Sequence, residues 1–224
     1  MMLREHVLQG LLDLHSGATY LEIGVHSGVT FHPLKAARKV AVDPNFRFDV
    51  PEPAVTHEVE YHRVSSDVFF GQIVEPGRKF DVIYLDGLHT SQQTLRDLLN
   101  AIVHLGPDGV IVIDDVVPTS YAASLPGEED FLLARASIPI EAPHDAWMGD
   151  VFKLVYFVEA FMQGFTYGVV AENHGQMILW HERRPQVQHP TRTLSWIGQM
   201  DLINLHQEPA VLRRQPYADI LQAY

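Results

Sequence analysis

Phe80–Val117 reads FDVIYLDGLHTSQQTLRDLLNAIVHLGPDGVIVIDDVV, and its two apolar runs decide the fold. The first run ends at Asp86, the second at Asp114 and Asp115. Both are short, rich in β-branched residues and bounded by turn residues, the pattern of buried parallel strands. Between them Leu95, Leu98, Leu99, Ile102, Val103 and Leu105 recur at helical spacing, and Gly106, Pro107 and Gly109 form a stop signal. A strand–helix–strand crossover is right-handed and leaves its strands parallel, so both carboxyl ends open on one edge of the sheet. Open α/β sheets bind ligands at that edge. The spacing therefore predicts that Asp86, His89, Asp114 and Asp115 share one crevice, where carboxylates repel one another until a cation or a proton relieves them.

Upstream, residues 3–15 place Leu3, Val7, Leu11, Leu12 and Leu14 on one side of an amphipathic helix that packs on the sheet or covers the crevice. Tyr20–Gly28, YLEIGVHSG, is a strand running into a glycine turn, followed by a helical stretch from about Thr30 to Arg38. Such a turn presents backbone N–H groups to an anionic or polar ligand, although glycines at 24 and 28 also suit a plain tight connection. The spacing Glu22, Gly24, Gly28 lacks the three glycines of the dinucleotide pattern. Lys39–Val42 is the second strand; Asp43 at its end is placed to accept hydrogen bonds from ribose hydroxyls. His57–Val64 alternates weakly and ends in Ser65, Ser66 and Asp67, where Asp67 either caps the next helix or contacts an adenine amino group.

Downstream, 118–145 has no sustained period and holds Pro118, Pro126, Gly127, Pro139 and Pro143, the composition of an irregular lid. Trp147–Met162 has apolar residues at helical spacing, Phe165–Val170 and Gln176–Trp180 form an antiparallel hairpin at the sheet edge, and 185–224 is a C-terminal extension with helical pieces near 194–205 and 217–221. The expected fold is a single α/β domain over 1–224, doubly wound around a mostly parallel sheet.

A chain of 224 residues that is 46% hydrophobic and 20% charged is long enough to bury a substantial core. Its net charge of −12 argues against nucleic-acid or anionic-membrane partners. No cysteine is present, which excludes disulfides, thiol catalysis and thiolate metal sites. The N-terminal segment carries charges inside a helical pattern and shows no signal-peptide cleavage site, and no apolar run is long enough to span a bilayer; the expectation is a soluble, cytoplasmic protein. Composition leaves a homo-oligomer open.

The ordered set of Glu22, Gly24 and Gly28 after a first strand, Asp43 after a second, Ser66 and Asp67 after a third, and DVIYLDG at the fourth resembles the class I S-adenosylmethionine-dependent methyltransferases, over roughly Ala18–Leu179. Within that superfamily the central stretch is similar to the metal-dependent O-methyltransferases that act on sugars of macrolide and aminocoumarin antibiotics. The resemblance implies a Rossmann-like methyltransferase fold and a small-molecule hydroxyl acceptor. It also implies that Asp86, Asp114 and Asp115 hold Mg2+ or another divalent cation, and that His89, three residues beyond the first ligand, is the general base. The aminocoumarin type has its base two residues beyond the ligand, where this chain has Leu88. By the same resemblance, Gly24–Gly28 and Thr30, with Glu22, bind the methionine end of S-adenosylmethionine, Asp43 the ribose, and Ser66 with Asp67 the adenine.

Each residue has a quieter reading. Asp114 and Asp115 suit a turn cap, and His89 suits the N-terminal region of the following helix, although Thr90 or Ser91 fits a cap better. Among 13 histidines, His26 in the glycine turn and His144 in the lid are weaker acid–base candidates. Asp150 and Lys153 sit at helical pairing distance and read as a surface ion pair. Trp147 suits either the core or an acceptor pocket. Two rival functions remain: a nicotinamide-dependent oxidoreductase on the same fold, against which the glycine spacing speaks, and an S-adenosylmethionine-binding protein without turnover, against which the repulsion among the acidic residues speaks.

Overall fold

The computed structural model describes residues 2–137, 146–187 and 191–224. It divides into two compact units, Met1–Leu88 with Arg96–Ile113 and His89–Leu95 with Asp114–Tyr224. In the first, β1 (Thr19–Ile23), β2 (Arg38–Val42), β3 (Val59–His62), β4 (Phe80–Leu85) and β5 (Leu105–Ile113) lie in the order β3-β2-β1-β4-β5, all parallel. Residues such as Leu21, Val40, Ile83 and Ile111 are fully buried, which explains the unbroken apolar runs: a parallel strand covered on both faces has no polar side. Helix α1 (Arg4–Leu12) buries Val7, Leu11 and Leu12 of the predicted face and Leu8 beside them, while Leu3 and Leu14 lie beyond its ends and are exposed. A single helical turn, α2 (Ser66–Val68), follows β3; the Ser65 hydroxyl caps it by accepting from the Val68 N–H, so the cap falls to Ser65 rather than Asp67.

The stretch after the glycine turn departs from expectation: residues 29–33 form turns, not a helix. The His32 N–H donates to the Gly28 carbonyl as a helix would, but Pro33 has no N–H with which to continue the ladder. The Lys39 ammonium takes over, donating to the carbonyls of Phe31 at 2.9 Å and Leu34 at 3.0 Å. Helix α3 (Ser91–Val103) is present, with Leu98 of the predicted stripe buried, but Thr94, Asp97 and Ala101 are buried too and Leu99 and Val103 of the stripe are exposed. Nor do Gly106, Pro107 and Gly109 stop the helix, which ends at Val103; they lie inside β5, whose pairing jumps from Phe80↔Leu105 to Val82↔Val110. The two glycines sit close against the Phe80 carbonyl, where an added Cβ would stand 3.2 Å and 3.0 Å from its oxygen.

In the second unit, β6 (Phe165–Val170) and β7 (Met177–His181) form the expected antiparallel hairpin, and a two-residue strand β8 (Arg214–Gln215) runs parallel along the other side of β6. Between 118 and 137 the chain is not wholly irregular: α4 (Glu128–Ser137) begins with Glu128, Glu129 and Asp130, acids that favour a helix N-terminus. The rest of the expected lid, 138–145 with His144, lies outside the described residues. Residues 149–152 are turns, and only then does α5 (Lys153–Phe161) begin. Helices α6 (Leu194–Gly198), α7 (Leu202–Gln207) and α8 (Tyr217–Ala223) occupy the C-terminal pieces. Buried Glu159 on α5 accepts from Arg213 at 3.3 Å, and Arg184 donates to the carbonyls of Val158 and Glu159, so this core's charges are met by partners. Among the described residues no helix is long and apolar enough to cross a membrane.

The lysine that replaces the missing helix gives a test. Lys39→Met keeps the stem and removes the ammonium, leaving two carbonyls without their charged donor; it should lower unfolding free energy by about 1.5–3 kcal/mol in denaturant melts.

Candidate active site

In the first unit the ends of β1, β2 and β4 meet at the glycine turn. Gly24 has φ 89°, and an added Cβ would fall 1.9 Å from the Asp86 carbonyl oxygen, so only glycine allows β1 to pass so close to the end of β4. Backbone bonds lock the crossing: Gly24 N–H donates to the Val42 carbonyl and Asp86 N–H to the Ile23 carbonyl, each at 2.9 Å. Asp43, buried at the end of β2, accepts from the His26 N–H at 2.7 Å and from the Asn45 N–H at 2.6 Å. Its carboxylate thus holds the glycine turn in place, with His26 itself in the left-handed region at φ 47°. Thr30 and Ser66 are buried, whereas Asp67 is exposed and pairs with Arg96 at 3.0 Å. The Asp86 carboxylate receives the Tyr84 hydroxyl at 3.3 Å and lies 3.6 Å from the Arg4 guanidinium.

Glu22 is buried on β1 and accepts the Tyr20 hydroxyl at 2.6 Å. Burial pushes its carboxyl well above the usual carboxylate range, and the negative charge of Asp86 adds to the push; the Tyr20 bond and the positive charges of Lys39 and Arg4 oppose it without prevailing.

In the second unit Asp114 and Asp115 follow β5, 1% and 3% exposed. Successive residues of a strand point to opposite faces. Asp115 breaks that alternation, standing at φ 61° in the left-handed region, which aspartate tolerates better than most residues. Carboxylate oxygens of Asp114 and Asp115 and a ring nitrogen of His174 all lie within 4.8 Å of one another. His174 Nε2 is 2.9 Å from Asp114 Oδ1, and His89 Nδ1 is 3.4 Å from Asp115 Oδ2.

His89 is held in a defined orientation. Its Nδ1 lies 2.8 Å from the Trp147 carbonyl, which can only accept, so the Nδ1 carries the proton and the neutral ring has its lone pair at Nε2. The indole of Trp147 donates to the Leu125 carbonyl at 2.7 Å and its ring centroid stands 5.3 Å from that of His89. Gly149, at φ 63°, passes so close that an added Cβ would overlap the His89 carbonyl. Beside it Asp150 accepts from the Ser91 N–H at 2.6 Å and hydroxyl at 2.9 Å and pairs with Lys153 at 3.0 Å. Asp150 and Lys153 are therefore not the expected surface ion pair: both are largely buried, and the pair anchors the start of α3 just after His89.

Comparison with known proteins follows from this geometry. Residues 21–116, which run from β1 past Asp115, match the family model of a methyltransferase domain. Over those residues the chain carries a methyltransferase domain. Among solved structures the chain is similar to a putative caffeoyl-CoA O-methyltransferase from Staphylococcus aureus, at 11% identity over 81% of this chain and 84% of that one, with a TM-score of 0.52. It also matches the O-methyltransferase TomG from Streptomyces achromogenes, involved in tomaymycin synthesis, at 18% identity over 80% of this chain and 79% of that one, with a TM-score of 0.49. The MycE methyltransferase of the mycinamycin pathway, solved with Mg, is matched at 15% identity over 87% of this chain but 52% of that one, with a TM-score of 0.47. At such identities the likeness is one of fold. No curated protein matches the chain.

Three partners escape a reading of the sequence: in the first unit Arg4 beside Asp86, and in the second Asp150 beneath the His89 loop and His174 beside Asp114. Only Asp150 left a signal, its spacing to Lys153, and that spacing does not show that its partner is Ser91. The donor set suits a divalent cation: Asp114 and Asp115 offer hard oxygen atoms, and two adjacent buried carboxylates repel each other strongly until positive charge joins them.

Glu22 sets a pH dependence. A carboxyl whose folded-state pKa lies above its ordinary value of 4.5 binds its proton more tightly when folded. The stabilisation is complete below the ordinary value and is lost as pH rises through the folded value. Glu22→Gln should therefore raise the melting temperature of the ligand-free protein at pH 8 more than at pH 4, measured by scanning calorimetry; an equal effect at both would refute the assignment.

Proposed function

We propose that the chain is an O-methyltransferase that carries the methyl group of S-adenosylmethionine to a hydroxyl of a sugar or other small polar natural product, using Mg2+ or another divalent cation and His89 as base. The observation that carries this reading is the pair of buried carboxylates Asp114 and Asp115 beside an imidazole whose Nδ1 is committed to a carbonyl. The resemblance of the acidic residues and His89 to metal-dependent O-methyltransferases supports it, as does the family model, which speaks against a nicotinamide-dependent oxidoreductase. The fold likeness to the staphylococcal protein, itself a putative O-methyltransferase, points the same way.

In this reading Asp86, Asp114 and Asp115 hold the cation, which when bound supplies positive charge that lowers the pKa of a substrate hydroxyl. Glu22, Gly24, Gly28 and Thr30 bind the methionine end of the cofactor, Asp43 the ribose, and Ser66 with Asp67 the adenine. His89 Nε2 accepts the hydroxyl proton as the C–O bond forms and the S–CH3 bond breaks. The Trp147 carbonyl keeps the ring turned for that task, and much of the remaining acceleration comes from holding the two reactants in line. Residues 1–224 act as one methyltransferase domain, with 118–145 as a lid over the acceptor and 185–224 as an extension.

Calorimetric titration tests the assignment. S-adenosylmethionine should bind in chelator, NAD should not, and added Mg2+ should give a binding heat that an Asp114→Asn, Asp115→Asn variant loses while keeping its cofactor affinity. NAD binding in place of S-adenosylmethionine would overturn the function, and an unchanged Mg2+ heat in the variant would remove the metal from this site.

A further inference from the structure

We propose that His174, on the turn between β6 and β7, is a positioning residue for the metal site: its Nε2–H holds Asp114 Oδ1 and so fixes which lone pairs that carboxylate offers to a cation. The inference rests on the metal reading above and adds to it a residue that neither the sequence pattern nor the family model includes, since the model match ends at 116.

The contact itself is short, 2.9 Å, and its direction is set by chemistry: an ionised carboxylate only accepts, so the proton lies on Nε2. Asp114 is 1% exposed, and a carboxylate that water barely reaches is oriented by its protein partners rather than by a hydration shell. A ligating carboxylate with one oxygen tied down presents the other in a set direction, as outer partners of metal ligands commonly arrange.

The turn that carries His174 is built to a tolerance a plain hairpin does not need. Asn173 is buried and accepts, through Oδ1, from the N–H groups of Gly175 at 3.0 Å and Gln176 at 3.2 Å. Its amide nitrogen donates to Gln176 Oε1 at 2.6 Å, and Gln176 is fully buried. The turn is also stitched to the segment that bears the carboxylates: the Val116 N–H donates to the Gly175 carbonyl at 3.1 Å. Gly175, at φ 113°, lies so close that an added Cβ would stand 2.6 Å from the Val117 side chain and 2.8 Å from the Val117 nitrogen. Asn173, Gly175 and Gln176 thus serve the turn and its seat against 116–117, while the His174 ring spans to Asp114. Asn173 and Gly175 already supply what the turn's geometry demands; an imidazole between them is explained by the carboxylate it reaches.

The test uses the full chain and Mn2+ alone, whose electron paramagnetic resonance reports free and bound ion directly. His174→Ala should weaken Mn2+ binding by about 10–100-fold, the usual cost of removing an outer partner of a metal ligand, with S-adenosylmethionine affinity in chelator unchanged. His174→Gln, which keeps an N–H donor on a chain of similar reach, should recover most of the loss. A Mn2+ affinity in His174→Ala equal to that of the parent overturns the inference while the metal reading stands. Nitrogen hyperfine coupling to bound Mn2+ that His174→Ala abolishes also overturns it, since His174 would then be a ligand. A parent protein that binds no Mn2+ while still binding S-adenosylmethionine removes the metal reading, and the inference with it.

Discussion

Asp114 and Asp115 are adjacent carboxylates kept out of water, and two charges in that position have to be met by something. Much of the second unit can be understood as the means of meeting them. His89 and His174 each bring an imidazole within 3.4 Å of one of the pair. Those rings are placed by backbone that cannot relax: Gly149 against the His89 carbonyl, Gly175 against Val117, and Asp150 gripping Ser91. Left-handed Asp115 lets neighbouring side chains converge where a regular strand would have sent them apart.

The first unit solves a different problem, the close crossing of strand ends. Gly24 at the Asp86 carbonyl sets the spacing, and Asp43 fixes the turn that follows by binding two backbone N–H groups. A carboxylate that accepts both bonds still has lone pairs to offer, so a structural duty for Asp43 and a ribose contact are compatible. Lys39 is the less expected part. Pro33 interrupts the helix that commonly follows such a turn, and a half-buried ammonium satisfies the carbonyls left over; that burial lowers the lysine's pKa. The loop is thereby fixed by one side chain from β2 rather than by its own ladder.

The sequence made the strands plain because a parallel strand buried on both faces leaves an uninterrupted apolar run, and the β4 and β5 runs, with the acids at their ends, could be placed from that alone. It misled where tertiary partners override local period. Thr94 and Asp97 are buried on α3 while Leu99 and Val103 face water, because burial follows what each face meets and not hydrophobicity. The Gly106–Gly109 segment reads as a helix stop, yet it is a bulged start to β5 whose glycines pack close against the Phe80 carbonyl. Helix α4 has a single buried apolar residue, Phe131, so no periodic stripe marked it; its acidic first turn was the one local sign. His174 and Asp114 are 60 positions apart, and nothing in a single sequence ties a histidine in an Asn–His–Gly turn to one carboxylate among many.

In the proposed reading the two imidazoles beside the pair have opposite tasks, His89 as base and His174 as the residue that orients Asp114, and their partners suit them to these tasks. His89 presents Nδ1 to acceptors, the Trp147 carbonyl and, further off, Asp115; neither can give a proton, so the neutral ring is fixed in the tautomer whose Nε2 accepts. His174 presents Nε2 itself to Asp114, so the nitrogen that His89 reserves for accepting is, in His174, spent on donating. A base has to give up and take back its proton within a catalytic cycle, whereas a residue that orients a ligand has to keep its proton throughout. Exchanging the partners would exchange the roles: a carbonyl opposite His174 Nε2 would leave Asp114 loosely held, and a carboxylate in place of the Trp147 carbonyl would favour the charged ring of His89, which has no lone pair with which to accept.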